Sequence, residues 1–148
     1  MSHCQQIKSL LPYQPPFLFV DEYTNLHAEG ATGWYQLRRD EYFYRGHFPD
    51  RPITPGVILT EIMAQIGLVG LGMFLTNSHL EPIFREFVFT SSEVQFLKPV
   101  YPGETVRVES EKVYFRMGKL KCKVRMLNEA GENVCTGTLS GMMIRRKS

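Results

Sequence analysis

The sequence predicts an α+β fold in which an antiparallel sheet of about six strands wraps around one long helix. The helix is predicted at residues 57–75, which are apolar on nearly every side. Two strand-like segments come before it, and four segments with alternating apolar and polar residues come after it. No repeat, low-complexity tract or linker interrupts this order. Residues 1–148 are therefore expected to form a single domain.

The N-terminal region is expected to hold a short helix and two strands. Apolar residues at helical spacing indicate the helix: Ile7, Leu10 and Leu11. Three prolines end it: Pro12, Pro15 and Pro16. The apolar residues 17–20 predict the start of the first strand. We interpret Gly30 and Gly33 as the break before a second strand around 34–38.

After Asn77 the apolar pattern changes to the two-residue period of strands. This period predicts strands near 87–97, 105–115, 120–127 and 134–144. Turn residues separate these four strands: Pro102 with Gly103, Gly118, and Gly131. Such alternation is typical of an antiparallel sheet with one buried face.

The predicted helix at 57–75 is also about long enough to cross a bilayer. However, Glu61 and Gln65 lie in its first turns, and polar, strand-like sequence flanks it on both sides. We therefore interpret it as a buried core helix, with no membrane partner. Its three glycines would allow close approach of neighbouring backbone, including a second copy of the helix: Gly67, Gly70 and Gly72.

The composition is that of a soluble globular protein, with 43% hydrophobic and 22% charged residues. The chain has 17 basic and 15 acidic residues. The resulting net charge of +2 argues against a general nucleic-acid binder. Residues 1–9 are polar and show no signal-peptide pattern, so a cytoplasmic location is expected. The 3 cysteines are widely spaced, which indicates reduced core thiols and neither a disulfide framework nor a zinc site.

The start of the long helix is predicted to form an anion site. Thr54 has the side chain of an N-cap, and Pro55 suits the first helical position. Gly56 and Val57 would then present backbone N–H groups without an intrahelical acceptor. A carbonyl oxygen that gains negative charge would be stabilised there.

One imidazole, His47, and one carboxyl, Glu61, flank this helix start and form a candidate acid/base pair. Gln65 lies one helical turn beyond Glu61 on the same face. These two are the only polar members of a face that we interpret as the wall of an apolar channel; its other members are Val57, Ile58, Leu68 and Gly72. A neutral imidazole can serve as a base near pH 7.

Four motifs together carry a family resemblance. Residues 11–21 read LPYQPPFLFVD, residues 46–57 read GHFPDRPITPGV, residues 61–65 read EIMAQ, and residues 96–104 read FLKPVYPGE. With these motifs the chain resembles the hotdog-fold 3-hydroxyacyl-[acyl-carrier-protein] dehydratases of the FabZ type. The spacing of fourteen residues between His47 and Glu61 (61 − 47) also matches that family.

The resemblance implies a hotdog fold and dehydration of a (3R)-3-hydroxyacyl-[acyl-carrier-protein] to the trans-2-enoyl thioester, in fatty acid or related polyene or pigment biosynthesis. His47 would remove the proton next to the thioester carbonyl. Glu61 of the partner subunit would protonate or orient the departing hydroxyl, which requires a protonated carboxyl. The Gly56 N–H, next to that of Val57, would bind the carbonyl oxygen. Gln65 would order Glu61 or a water, or would only tie helix to sheet.

Several alternatives remain open at this point. His47 could be a packed histidine, and Glu61 a core carboxylate paired across a dimer. A hotdog acyl thioesterase would use a carboxylate-activated water, and a non-catalytic subunit would only bind the acyl carrier. The chain departs from the family pattern at Tyr13-Gln14, Tyr42, Ser92 and 84–89. These departures bear on acyl length and pathway, whereas glutamate at position 61 argues mildly against an additional isomerase activity.

The resemblance also implies partners. The chain would form a homodimer, or a hexamer of three dimers, without metal or organic cofactor, and would bind an acidic acyl carrier protein. A row of basic residues on one predicted strand could dock that carrier: Lys119, Lys121, Lys123 and Arg125. So could a second set: Arg38, Arg39, Arg45 and the terminal Arg145, Arg146 and Lys147. For the strand we favour solvent-facing charges that protect the sheet from aggregation.

Overall fold

The computed structural model describes residues 2–76 and 85–145. Helix α1 spans His3–Leu10 and helix α2 spans Gly56–Thr76. The strands are β1 (Glu22–His27), β2 (Gly30–Gln36), β3 (Arg85–Phe96), β4 (Thr105–Arg116), β5 (Lys119–Leu127) and β6 (Asn133–Arg145). A 3₁₀ turn, Tyr42–Arg45, lies between β2 and α2. Four positions named above lie outside the described residues: Asn77, Phe84, Arg146 and Lys147.

The strands within the described residues pair antiparallel in one 6-stranded sheet with the order β1-β2-β4-β5-β6-β3. The inner face of the sheet packs on α2. On β5 the buried side chains alternate with exposed ones, as the two-residue period predicted: Leu120, Cys122, Val124 and Met126 face inward. The predicted α+β architecture, with one long helix inserted after the second strand, is confirmed.

The first two strands begin at other positions than predicted. Residues 17–20 are not in a strand, and β1 starts at Glu22. The backbone N–H of Phe19 donates to a side chain of α2 and not to a strand neighbour. Gly30 and Gly33 do not precede β2 but lie inside it. At Gly33 a β-carbon would lie 2.7 Å from the carbonyl oxygen of Glu22, so glycine permits the close strand pairing.

Helix α2 is the buried core helix that the sequence predicted. It is 21 residues long and apolar enough to cross a membrane, but 78% of its most apolar window is buried inside the protein. Its middle section, Ala64–Val69, is a π-helix, and α-helical turns precede and follow it. Such π sections are frequent near functional sites.

Within one protomer the helix glycines approach side chains and not the neighbouring backbone that was predicted. Contact with a second copy of the helix stays a prediction. A β-carbon at Gly67 would lie 3.0 Å from the side chains of Ser110 and Val124 on the sheet. At Gly70 it would collide with the ring of Tyr23. These glycines let the sheet close tightly over α2.

Of the three cysteines, Cys122 and Cys135 are buried and Cys4 is half-buried, and all of them are free thiols. Burial raises the pKa of the Cys122 thiol and of the Cys135 thiol to about 12. Both therefore stay protonated and act as small core side chains.

Candidate active site

His47 lies in the loop between the 3₁₀ turn and α2, and its side chain is half-buried. Its Nδ1 atom lies 2.9 Å from the carbonyl oxygen of Ile53. Because a carbonyl oxygen can only accept, Nδ1 carries the hydrogen and donates it. In the neutral imidazole the lone pair is then on Nε2, which makes Nε2 the basic atom.

The backbone around His47 is held in an uncommon conformation. Phe48 has a φ of 55°, in the left-handed region that non-glycine residues seldom adopt. Its ring packs edge-on against the imidazole, with a centroid distance of 4.7 Å. Phe48 is nevertheless 60% exposed, so this aromatic group stands at the surface beside the base.

Thr54 is not the N-cap that the sequence predicted. Its hydroxyl is buried and lies 2.7 Å from the hydroxyl of Tyr44, and its N–H donates to Val100 at 2.8 Å. Pro55 occupies the cap position, because its carbonyl accepts the first helical hydrogen bond, from Leu59 at 3.1 Å. Thr54 instead anchors the His47 loop to the rest of the fold.

The two backbone N–H groups that were predicted to lack an intrahelical acceptor lie at the start of α2. Within the described residues, neither the Gly56 N–H nor the Val57 N–H has an acceptor. Val57 is 77% exposed in the single chain. The ring of Phe96 covers Gly56 so closely that a β-carbon there would lie 3.0 Å from it. The helix start therefore offers free donors and a positive dipole end beside an aromatic surface.

Gln65 is fully buried and joins Glu61 to the loop before β1. Its amide oxygen accepts from the Phe19 N–H at 2.8 Å, and its amide nitrogen donates to the Phe17 carbonyl at 3.1 Å. The same nitrogen donates to Oε2 of Glu61 at 3.0 Å. Gln65 thus orders Glu61, one of the functions that the sequence left open, and its other bonds tie the helix to the loop before β1 and not to the sheet.

These contacts fix how the Glu61 carboxyl can be protonated. A flipped Gln65 amide would set its NH₂ group against the Phe19 N–H, so the orientation is determined by the backbone. Oε2 of Glu61 then receives an N–H donor, and a proton on this carboxyl belongs on Oε1. Burial raises the pKa of Glu61, although the hydrogen bond from Gln65 opposes this shift. The apolar surroundings thus favour the protonated acid, in the direction that the sequence required.

The single chain does not pair His47 with Glu61. Among the contacts of the described residues, His47 bonds to Ile53 and Glu61 to Gln65, with no hydrogen bond or ion pair between the imidazole and the carboxyl. Each group is positioned separately, His47 by the Ile53 carbonyl and Glu61 by the Gln65 side chain.

The helix face beyond Gln65 is not open in one protomer. Leu68 is fully buried, and Gly72 receives the ring of Phe87, whose atoms would lie 2.7 Å from a β-carbon there. This part of the predicted channel wall is filled by the chain's own side chains.

Two of the four residues in the basic row on β5, Lys123 and Arg125, lie opposite acidic residues of β4. Arg125 bonds to Glu109 on β4 at 2.6 and 2.9 Å, and Lys123 lies opposite Glu111 in the strand register. A cavity of about 590 Å³ is lined by residues of β4, β5 and β6, among them Lys123 and Arg125. The contacts agree with the solvent-facing interpretation of this row.

A matched pair of substitutions tests the role of Gln65. Gln65→Leu removes the partner of the buried Phe19 N–H, so we expect the free energy of unfolding to fall by about 2–4 kcal/mol. Gln6→Leu, on the exposed face of α1, serves as the control and should change it little. Urea denaturation measures both. Equal stability of the two variants would contradict the bonding described for Gln65.

The fold places the chain in the class of hotdog proteins. A mutant thioesterase from Pseudomonas aeruginosa superposes with a TM-score of 0.68 at 12% identity, covering 97% of this chain and 94% of that one. A thioesterase from Haemophilus influenzae gives 0.61 at 14% identity, covering 84% and 78%. At such identities these similarities concern the fold alone.

Sequence comparison identifies the family. The model of the FabA-like domain matches residues 11–137. A protein from Bacillus licheniformis, called 3-hydroxyacyl-[acyl-carrier-protein] dehydratase FabZ, is 36% identical over 142 residues, covering 94% of each chain. A protein of the same name from Roseiflexus is 36% identical over 137 residues, covering 91% of this chain and 92% of that one. The chain therefore belongs to the FabA-like family and, within it, to the FabZ-type dehydratases, as its four motifs predicted.

Proposed function

We propose that the protein dehydrates (3R)-3-hydroxyacyl-[acyl-carrier-protein] to trans-2-enoyl-[acyl-carrier-protein], in fatty acid biosynthesis or the synthesis of related acyl chains. The observation that carries this proposal is that a candidate base and a candidate acid occupy the two motif positions of the family. His47 offers a lone pair on Nε2, and Glu61 sits where burial favours its protonated form. The FabZ relatives support the same reaction.

In the proposed reaction His47 acts as the base. Its Nε2 takes the proton from the carbon next to the thioester carbonyl, and the electron pair of that C–H bond becomes the new double bond. The hydrogen bond from Nδ1 to the Ile53 carbonyl holds the ring and stabilises the imidazolium that forms.

The free amides of Gly56 and Val57 would receive the thioester carbonyl oxygen. This oxygen gains negative charge as the proton leaves, and donors placed in advance at such a position typically lower the barrier by about 3–4 kcal/mol. The dipole of a 21-residue helix adds to their effect.

Glu61 would act as the acid. The bond between carbon 3 and its oxygen breaks, and the oxygen leaves as water with the proton from Oε1 of Glu61. The carboxylate that remains keeps the hydrogen bond from Gln65. A proton then returns from the His47 imidazolium to Glu61, so every step uses groups of the protein and needs no metal or organic cofactor.

The site is proposed to form between two chains. His47 and Glu61 do not meet within one protomer, and β3 is an edge strand of the sheet with large apolar side chains exposed. An edge strand of this kind is a surface for pairing with another chain. Phe89 is 36% exposed and Phe96 is 51% exposed. A homodimer would cover them and bring the His47 of one chain to the Glu61 of the other; three such dimers would form a hexamer.

The other proposed partner is the acyl carrier protein that bears the substrate. Among the candidate docking residues, Arg38 is already held by Asp21, at 2.6 and 2.9 Å. Arg45 is exposed, forms no ion pair with any described residue, and lies two positions from His47. We therefore favour Arg45 for contact with the acidic carrier. We propose that residues 1–148 act as one domain in the cytoplasm.

Mass analysis of products tests the function. The purified protein is incubated with 3-hydroxybutyryl and 3-hydroxydecanoyl carrier protein, and the acyl carrier is weighed. Loss of one water is expected. Loss of the whole acyl group would identify a thioesterase, and an unchanged mass would identify a binding subunit; either result would overturn the proposal.

A further inference from the structure

We propose that Phe48 is a positioning residue for the base: its ring holds the His47 imidazole in the orientation that aims Nε2 at the substrate. The inference rests on the proposed dehydratase function and adds a residue to it. Phe48 would take no part in the proton transfers. Its effect would reach the reaction only through the direction in which the imidazole points.

The ring of Phe48 contacts the imidazole because of an unusual turn in the backbone. Consecutive side chains of an extended chain point to opposite sides, so neighbouring rings stay apart there. At Phe48 the backbone enters the left-handed region, with a φ of 55°. The two rings meet at a centroid distance of 4.7 Å and an interplanar angle of 70°. The turn thus places an aromatic ring beside the base.

The backbone of Phe48 is fixed by the residues that follow it. Its carbonyl accepts a hydrogen bond from the Arg51 N–H at 2.9 Å, which closes the turn. Pro49 comes next in the chain, and a proline restricts the backbone of the residue before it. The Phe48 ring therefore stands on a stiff support, as a positioning group requires.

A second contact is needed because one hydrogen bond does not orient an imidazole. The bond from Nδ1 of His47 to the Ile53 carbonyl, 2.9 Å long, holds a single corner of the ring. The ring could still tilt about that corner, and Nε2 would then swing away from the proton that it must take. The edge-on packing of Phe48 opposes this tilt. Residues 48–53 thus hold the imidazole at two points.

Packing of the fold does not account for this arrangement. A non-glycine residue in the left-handed region is strained, and burial of an apolar side chain could offset that cost. Phe48, however, is 60% exposed in the single chain, so burial covers less than half of its surface. A strained backbone that carries an exposed aromatic ring beside the candidate base therefore indicates a function in the site.

The test replaces Phe48 by asparagine, which adopts the left-handed conformation readily but has no aromatic ring. The matched control is Met117→Asn, on the β4–β5 hairpin, because Met117 is the other non-glycine position with a positive φ among the described residues. Both variants should unfold near the native temperature. We expect kcat to fall about 10- to 100-fold in Phe48→Asn, with little change in KM, and to stay native in Met117→Asn. Phe48→Tyr, which keeps a ring, should restore most of the rate.

Three results would overturn the inference. The first is a native kcat in Phe48→Asn. The second is a loss confined to KM, which would make Phe48 a contact of the substrate. The third is a change of oligomeric state in sedimentation, which would show that the ring belongs to a subunit interface.

A double variant shows whether Phe48 acts through His47. If the ring only orients the imidazole, Phe48→Asn costs nothing further once His47 is alanine. The residual rates of His47→Ala and of the double variant should therefore agree. A further loss of rate in the double variant would show an independent effect of Phe48 and reject the inference.

An NMR measurement tests the ring contact without turnover. The ring current of Phe48 shifts the signals of the carbon-bound protons of the His47 imidazole. These shifts should be lost in Phe48→Asn and kept in Phe48→Tyr; signals that stay unchanged in Phe48→Asn would reject the contact. If the native protein releases no water, the dehydratase function fails, and this measurement still tests Phe48 directly.

Discussion

Replacing His47 by alanine is expected to lower the rate of dehydration about a thousandfold, because no other group at the helix start can take the α-proton. Since the Nδ1–H of His47 bonds to a loop carbonyl and the imidazole is only half-buried, the substitution removes little of the packing of the core. The rate is measured from the absorbance of the enoyl thioester. His27→Ala, on the exposed end of β1, is the matched control and should keep the native rate.

Two outcomes would contradict the assignment of His47. Water loss that survives in His47→Ala would remove the imidazole from the mechanism. Hydrolysis of the thioester that survives the same substitution would instead favour a carboxylate-activated water, as in a thioesterase. Both the products and the rate of His47→Ala are therefore compared with those of the native protein.

The second large effect is expected for Glu61→Gln, which keeps the shape of the side chain but cannot release a proton. We expect the rate to fall about a thousandfold, while Glu111→Gln, at an exposed position of β4, leaves it unchanged. Substrate affinity should change little, because the amide still offers a hydrogen-bond donor. A Glu61→Gln variant with native activity would exclude the carboxyl as the acid.

The pH dependence follows from the direction of the Glu61 shift. An acid must be protonated to act, so activity falls as pH rises through the pKa of Glu61. Burial raises that pKa, and the loss of activity therefore occurs at higher pH than for an exposed carboxyl. Initial rates measured between about pH 5 and 9 test this for the native protein. Gln65→Leu removes a contact that lowers the pKa of Glu61, so the loss should move to still higher pH.

The two inactive variants can also be combined to locate the site. If His47 and Glu61 come from different chains, a mixed dimer of His47→Ala and Glu61→Gln holds one intact site. Unfolding and refolding an equal mixture should then restore about a quarter of the native activity, since half of the dimers are mixed. If both groups act within one chain, the mixture stays inactive.

The parts of the fold that follow a simple period could be predicted from the sequence. The strands from β3 to β6 and the limits of α2 lie within about two residues of their predicted positions. The errors fall where tertiary contacts override local preference. Residues 17–20 are apolar enough for a strand, but the backbone of Phe19 bonds to the Gln65 side chain. Gly30 appeared to be a break but lies inside β2, where a β-carbon would collide with the Ser110 carbonyl.

The candidate site also has features that the sequence predicts and others that it does not. The spacing of Glu61 and Gln65 by one helical turn predicts their contact, and the structure contains it. The tautomer of His47 depends on Ile53, and the amide orientation of Gln65 depends on the loop backbone, so neither can be read from residue types. The hydroxyl of Thr54 was expected at the helix cap, but Tyr44, ten positions earlier, binds it. Such partners become known only when distant segments are placed together.

The order of the helix and strands along the chain affects how the protein can fold during synthesis. Helix α2 leaves the ribosome before β4, β5 and β6, which later bury it. From Thr76 to Arg145 a further 69 residues (145 − 76) must be added, which takes roughly 3–14 s at ordinary rates of translation. Until then the nascent chain carries a 21-residue apolar helix that β1 and β2 can cover only in part. Cellular yield should therefore depend on factors that shield nascent chains, and slow codons in the stretch that encodes β4 to β6 should promote aggregation.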